Sequence, residues 1–277
     1  MLLVPWDFSL MAEFALEHAL RIAKTLDKEI TLLHVVEKNA PDTRKEELLV
    51  QLNEKAAEVN KLHGIMPQTI VLEGPIFSAI SDYAGETEAN MVIMGTHGIQ
   101  GAQKITGSWA LKVMSKSRTP FIVVQSPPQD DQKYQNIVFP VDFRGENKEK
   151  MKMAIFMGKY FDSKIHMLVL DPSDKGLAKK TRSNLNFAVK YLIQNNIEYE
   201  IHEVPKKRFA EQVLEFSHGI NADLILIDTT KNISFADYAF GASEQFIIAN
   251  SEKIPVICVI PKVSFMKLGQ FMGGWGD

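Results

Sequence analysis

The chain repeats itself. "LLVPWDFS" at residues 2–9 aligns with "IVFPVDFR" at 137–144, setting Pro5 and Asp7 over Pro140 and Asp142 at a shift of 135. "TLLHVV" (31–36) aligns with "IHMLVL" (165–170) at 134, "EANMVIMG" (88–95) with "NADLILID" (221–228) at 133, and "TPFIVV" (119–124) with "IPVICV" (254–259) at 135. Four anchors in the same order and at nearly one spacing predict two copies of one domain. A length of 277 residues accommodates two such units comfortably. The segment "QSPPQDDQKY" (125–134), rich in proline and polar residues, reads as the connection. The expected organisation is a first domain over 1–126, a linker over 127–135, a second domain over 136–262 and a tail over 263–277.

Within each copy, short β-rich apolar runs alternate with longer amphipathic segments. Strands are expected near 2–5, 29–36, 68–73, 91–95 and 120–125, with helices near 10–26, 43–63, 76–86 and 107–117. The second copy repeats this with strands near 136–141, 164–170, 198–204, 223–228 and 255–260 and helices near 147–161, 176–195, 208–218 and 241–251. Ser9 is placed to cap the first helix, of which Leu10, Phe14, Ala15, Ile22 and Leu26 trace one face. Runs apolar at every position, such as Met91–Met94 and Leu224–Ile227, suit a parallel sheet covered on both sides. The fold class is therefore α/β, two tandem doubly wound parallel-sheet domains. Such sheets bind ligands beyond the carboxyl ends of their strands, where the strand order reverses.

Composition narrows the function classes. The formal charge is −3 and the isoelectric point about 6.2, so no global field draws the chain to nucleic acid or to anionic membrane. The single cysteine, Cys258 in "IPVICVIP", reads as a buried apolar group rather than half of a disulfide, and no His/Cys spacing suggests zinc. The N-terminus lacks the basic region of a signal peptide, and no window has the length of apolar sequence a membrane span needs. A cytoplasmic protein is expected.

Between the fourth strand and the following helix stand Gly95, Gly98, Gly101 and Gly107, with Ser108 after the last. Glycines here serve either of two ends. They make turns that a Cβ would forbid, or they let backbone N–H groups approach an anion at a helix N-terminus. Neither a P-loop nor a correctly placed G-x-G-x-x-G is present. At the end of the first strand, Asp7 faces the same crevice in a doubly wound sheet, or else turns the chain ahead of Ser9.

In these pieces, "LVPWDFS", "LLHVVE" and "VIMGTHG…GS…VM…TPFIVV", the sequence resembles the universal stress protein family over nearly all of 1–125, and more weakly over 136–262. The resemblance implies a tandem member with Rossmann-like sandwiches of the adenine nucleotide alpha hydrolase-like kind. It also implies binding of ATP or a related adenine nucleotide through G-x2-G-x9-G-[ST]. Carried onto this chain, Pro5, Asp7 and Val35 lie on the adenine–ribose side, Met94 and Gly95 line the ribose, and Gly98, Gly107 and Ser108 face the phosphates. One departure stands out: eight residues separate Gly98 from Gly107, where the family motif has nine.

The second copy departs further. Asp228 stands at the Gly95 position, Lys231 at that of Gly98 and Ala242 at that of Ser108. Two like charges 4 Å apart cost about 4 kcal/mol at an effective dielectric near 20, so Asp228 beside Asp142 is expected to repel a triphosphate. Nucleotide, with or without Mg²⁺, is thus expected in the N-terminal domain only.

His97 and Lys104 in the glycine loop read as loop residues. No set of groups for positioning a hydrolytic water accompanies them, so no catalytic residue is expected and slow ATP hydrolysis is the upper bound. The last strands, "PFIVV" and "PVICVI", are expected to pair as an internal pseudo-dimer, and the family resemblance also allows a homodimer. The leading reading is a stress-response protein regulated by adenine nucleotide, with the C-terminal domain structural and its protein partner unknown. The alternative is a nucleotide-independent scaffold or chaperone-like interaction protein, using the paired domains and an apolar tail.

Overall fold

The computed structural model describes residues 1–96, 117, 119–129, 133–143, 148–170, 174–204, 208–229 and 241–260. The front half runs β1 (Leu2–Pro5), α1 (Leu10–Leu26), β2 (Ile30–Val36), α2 (Asp42–His63), β3 (Gln68–Glu73), α3 (Ile76–Glu86), β4 (Met91–Gly95) and β5 (Phe121–Val124). The rear half runs β6 (Asn136–Val141), α4 (Lys148–Phe161), β7 (Lys164–Leu170), α5 (Lys175–Gln194), β8 (Tyr199–Val204), α6 (Phe209–Gly219), β9 (Leu224–Asp228), α7 (Gly241–Ile248) and β10 (Val256–Val259). The helix expected over 107–117 lies outside the described residues, apart from Ser117.

All ten strands join one sheet in the order β3-β2-β1-β4-β5-β10-β9-β6-β7-β8. Each half is a parallel five-stranded unit whose order reverses beside its first strand, between β1 and β4 in front and between β6 and β9 behind. The halves meet where β5 and β10 pair antiparallel, Val123 opposite Val256 and Phe121 opposite Cys258, so the expected pairing of the two last strands is present. Residues alternate between two apolar cores, one on each face. Leu2, Val4, Leu32 and Ile93 pack with α1 and α2, while Leu3, Leu33, Val92 and Val123 pack toward α3. The same two cores continue through the rear half, under α4 and α5 on one side and α6 and α7 on the other.

Local chemistry fixes the ends of the elements. Ser9 caps α1 as expected, its Oγ accepting from the Ala12 N–H at 3.3 Å, and Asp174 caps α5 by accepting from the Leu177 N–H at 2.9 Å. Asp27 and Asp162, one shift of 135 apart, both take left-handed φ values after their helices, 50° and 53°. The last helix ends at Ile248, short of the expected 251. The side chain of Asn250 closes a turn there, donating to the Ile247 and Ile254 carbonyls and accepting from the Ile254 N–H.

Three expectations need correction. Pro5 pairs with Leu33 and Pro140 with Leu168, so the second strands also correspond at a shift of 135, not 134. A one-residue slip turns every side chain to the opposite face, and uniformly apolar strands look alike in both registers. The counterpart of Val35 is therefore Leu170. Next, Leu10 is 63% exposed and does not belong to the buried face of α1, which instead carries Ala12, Ala15, Leu16, His18 and Ala19. Finally, the connecting segment is more than a polar tether. Tyr134 is fully buried and its hydroxyl donates to His18 Nδ1 at 2.6 Å, while His18 Nε2–H donates to the Ser126 carbonyl at 3.1 Å. Arg21 Nη1 donates to the Gln129 carbonyl, and Gln125 Nε2 to that of Ile248. Burial lowers the pKa of His18 to about 4, in keeping with a neutral ring whose two nitrogens are both satisfied.

Candidate functional site

The front crevice is built at the carboxyl ends of β1, β2 and β4. The Trp6 N–H prolongs the β1–β2 ladder by bonding the Leu33 carbonyl, and His34 Nδ1–H donates to the Trp6 carbonyl at 2.7 Å. The chain then turns sharply. Asp7 is exposed and its Oδ1 accepts from the Ser9 N–H at 3.0 Å, so it shapes the turn while presenting a carboxylate at the mouth. Phe8 takes a left-handed φ of 63°, is 41% exposed, and lies edge-on to Trp6 and against the His34 ring. A bulky residue held in that region costs roughly 1 kcal/mol or more and is over-determined by its neighbours. Phe8 and His34 were not singled out in the sequence, since no local pattern announces a left-handed φ at a phenylalanine.

Val35 and Met94 lie on the α3 face of the sheet, half-buried against that core, and Pro5 is likewise partly exposed. Gly95 belongs to the other face. A Cβ there would stand 2.0 Å from the backbone oxygen of Met11 and 2.8 Å from its Cβ, so α1 packs its first turn directly onto the strand. This glycine is demanded by helix-on-strand packing. Gly98, Gly107 and Ser108, along with His97, Gly101 and Lys104, lie outside the described residues. Of the sequence-predicted residues, the structure thus gathers Pro5, Asp7, Val35, Met94 and Gly95 around the ends of three neighbouring strands.

At the corresponding place in the rear half the described strand ends are covered. Pro140 and Ile227, the register counterparts of Pro5 and Met94, are both buried, Ile227 at 4% exposure. Asp228 does stand at the Gly95 position, but its charge is offset from inside the protein. Buried Lys150 of α4 sends its Nζ to within 3.7 Å of Asp228 Oδ2, donates to the Pro140 carbonyl at 2.5 Å and lies 4.0 Å from the centre of the Phe139 ring. The expected repulsion by uncompensated acid is corrected accordingly: an internal lysine stands where a cation would otherwise be required. Lysine buries readily when its stem packs on apolar surface and its head is paired.

One further cluster escaped the sequence reading. His166 on β7 and Glu200 and His202 on β8 bring one donor atom each to a common point, because Glu200 pairs with His166 and His202 with Leu168 in the parallel register. It lies near the strands' amino ends, away from the crevice. Cross-strand pairing assembles it, and no spacing along the chain announces it.

A family model described as the universal stress protein family matches residues 1–125. A universal stress protein of Methanocaldococcus jannaschii is 30% identical over 142 residues, 47% of this chain and 84% of that protein. The crystal structure of a universal stress protein from Archaeoglobus fulgidus is similar over 95% of this chain and 96% of that one, with a TM-score of 0.75 and 19% identity, which shows the two-part fold. A structure of the universal stress protein from Archaeoglobus fulgidus in complex with dAMP matches 47% of this chain and 98% of that one, at 17% identity and a TM-score of 0.36.

Proposed function

Since the chain belongs to the universal stress protein family, we propose that its front half, residues 1–126, binds ATP or a related adenine nucleotide and that the rear half, 136–262, supports it structurally. The base and ribose lie over Pro5, Val35 and Met94 beside Asp7 and the Gly95 backbone. The phosphates reach Gly98, Gly107 and Ser108, whose amides and hydroxyl supply the donors. Binding biases conformation or partner choice in the cytoplasm, which makes the chain a regulatory module rather than a dedicated catalyst.

The observation that carries this reading is the difference between the two crevices. Pro5 and Met94 remain partly exposed at the switch point, while Pro140 and Ile227 are buried and Lys150 is paired with Asp228. An apolar floor left half-covered at the end of a doubly wound sheet is where such folds take ligands.

Calorimetry with ATP, with and without Mg²⁺, tests the proposal. One site per chain is expected, abolished by Gly98→Val or Gly107→Val and retained in Lys231→Ala. No heat and no thermal shift at millimolar ATP would remove the reading, and loss of binding in Lys231→Ala would move the site to the rear half.

A further inference from the structure

Among the described residues, one group of nitrogen and carboxylate donors converges as a metal site would require, and it is far from any role in the crevice. His166 Nδ1 and His202 Nε2 are 3.3 Å apart, His166 Nδ1 and Glu200 Oε2 3.5 Å, and His202 Nε2 and Glu200 Oε2 3.4 Å. Three donors at about 2.0–2.1 Å from a tetrahedral ion stand roughly 3.3–3.4 Å from one another, so the triangle already has the dimensions of three zinc ligands.

The surroundings fix the donor atoms. His166 Nε2 faces Asn136 Oδ1 at 3.2 Å, an oxygen that only accepts, so this nitrogen carries the proton and Nδ1 presents its lone pair to the cluster. Holding a ligand imidazole by its far N–H is how metal sites set tautomer and ring angle. Glu200 is held by its other oxygen, Oε1 accepting from Lys164 Nζ at 2.6 Å, which leaves Oε2 turned to the histidines. The two imidazoles stack at 5.5 Å, and Phe216 of α6 packs against both rings. The cluster is walled on the His166 side and open at Glu200, which is exposed.

We propose that His166, Glu200 and His202 form a binding site for a divalent transition metal of the zinc type, with three protein ligands and a fourth position open to solvent. Two imidazoles and one carboxylate suit Zn²⁺ and disfavour Mg²⁺ or Ca²⁺, which take oxygen donors. The site ties β8, the last strand of the sheet, to β7. It is specific to the rear half: the front positions in the same register are Thr31, Gln68 and Ile70, of which only the first two carry polar side chains and none is a ligand of this kind.

The test uses the full, untagged chain. Equilibrium dialysis against buffered Zn²⁺ with elemental analysis should give one zinc per chain, and Co²⁺ substitution should give the visible ligand-field spectrum of a four-coordinate site. Glu200→Gln and His202→Ala, both on the edge strand, should each weaken binding at least tenfold while leaving the metal-free circular dichroism unchanged. Asn136→Ala should weaken it 10- to 100-fold through the His166 ring. His218→Ala, which removes a separate exposed histidine–carboxylate pair with Glu252, should change nothing. Absence of zinc at micromolar free ion, or equal binding by the Glu200→Gln/His202→Ala double variant, would overturn the proposal.

Discussion

The two halves share a sheet plan, yet three matched positions differ in kind: Ala15, His18 and Gly95 in front stand against Lys150, Met153 and Asp228 behind. The shift of 135 that overlays Pro5 on Pro140 also overlays Ala15 on Lys150 and His18 on Met153, and all four of these helix residues are buried. The contrast separates what sets the fold from what sets the crevice. Alternating apolar strands and helix faces are common to both halves and are enough to build each five-stranded unit. A methyl in place of a lysine stem, and a hydrogen in place of a carboxymethyl group, decide whether α1 or α4 closes on the strand or reaches over it with a cation.

That contrast can be broken deliberately. The largest effect is expected from Gly95→Ala. Its Cβ meets a backbone oxygen that cannot swing aside, so a loss of about 3 kcal/mol or more is expected in chemical denaturation. A loss under about 1 kcal/mol would mean that α1 does not need its close approach. Next comes pH. His18 is held near a pKa of about 4 in the folded chain, against about 6.5 unfolded. Its contribution is complete above pH 6.5 and drains as the pH falls toward 4, because the unfolded chain takes up the proton first, to a total of about 3 kcal/mol. His18→Met, which installs the rear-half residue, should flatten most of that slope. The remainder belongs to groups such as His166, whose pKa burial also lowers. An unchanged slope would show that the latch to Tyr134 does not hold the ring neutral. The smallest effect is expected from Lys150→Met, which removes a charged hydrogen bond to Pro140 and a cation beside Asp228. It should cost about 2 kcal/mol, read from the urea midpoint. Stability equal to the parent's would mean that the pair serves only to close the rear crevice.

All ten strands were legible in the sequence: four in each half are mainly apolar runs that the repeat reports twice, and β3 and β8, which mix polar and apolar residues, were placed between helix-period segments at matching points of the two copies. What escaped is long-range. No pattern around Gly95 says that Met11 lies 2.0 Å from its absent Cβ, since that depends on how α1 crosses the sheet. His18 and Tyr134 meet across 116 residues, and the polar run before Tyr134 disguised the fully buried ring at its end. The His166–Glu200–His202 triangle depends on strand register, which similar apolar letters leave ambiguous by one residue; that ambiguity also misaligned the second strands. Of the strand-end residues, Asp7 was legible from its position after the first strand, whereas Pro5, Val35 and Met94 were named only through the resemblance to the universal stress protein family. The reason for Gly95 was not legible.

The antiparallel seam between β5 and β10 has a consequence for how the protein behaves in solution. A partner carried on the same polypeptide is present at an effective concentration on the order of millimolar, however dilute the sample. Folding of the joined sheet is therefore first-order in chain, and dilution has no means of separating one half from the other. The partly exposed strand ends at Pro5 and Met94 therefore always travel with the buried Pro140 and Ile227 in a fixed ratio of one to one.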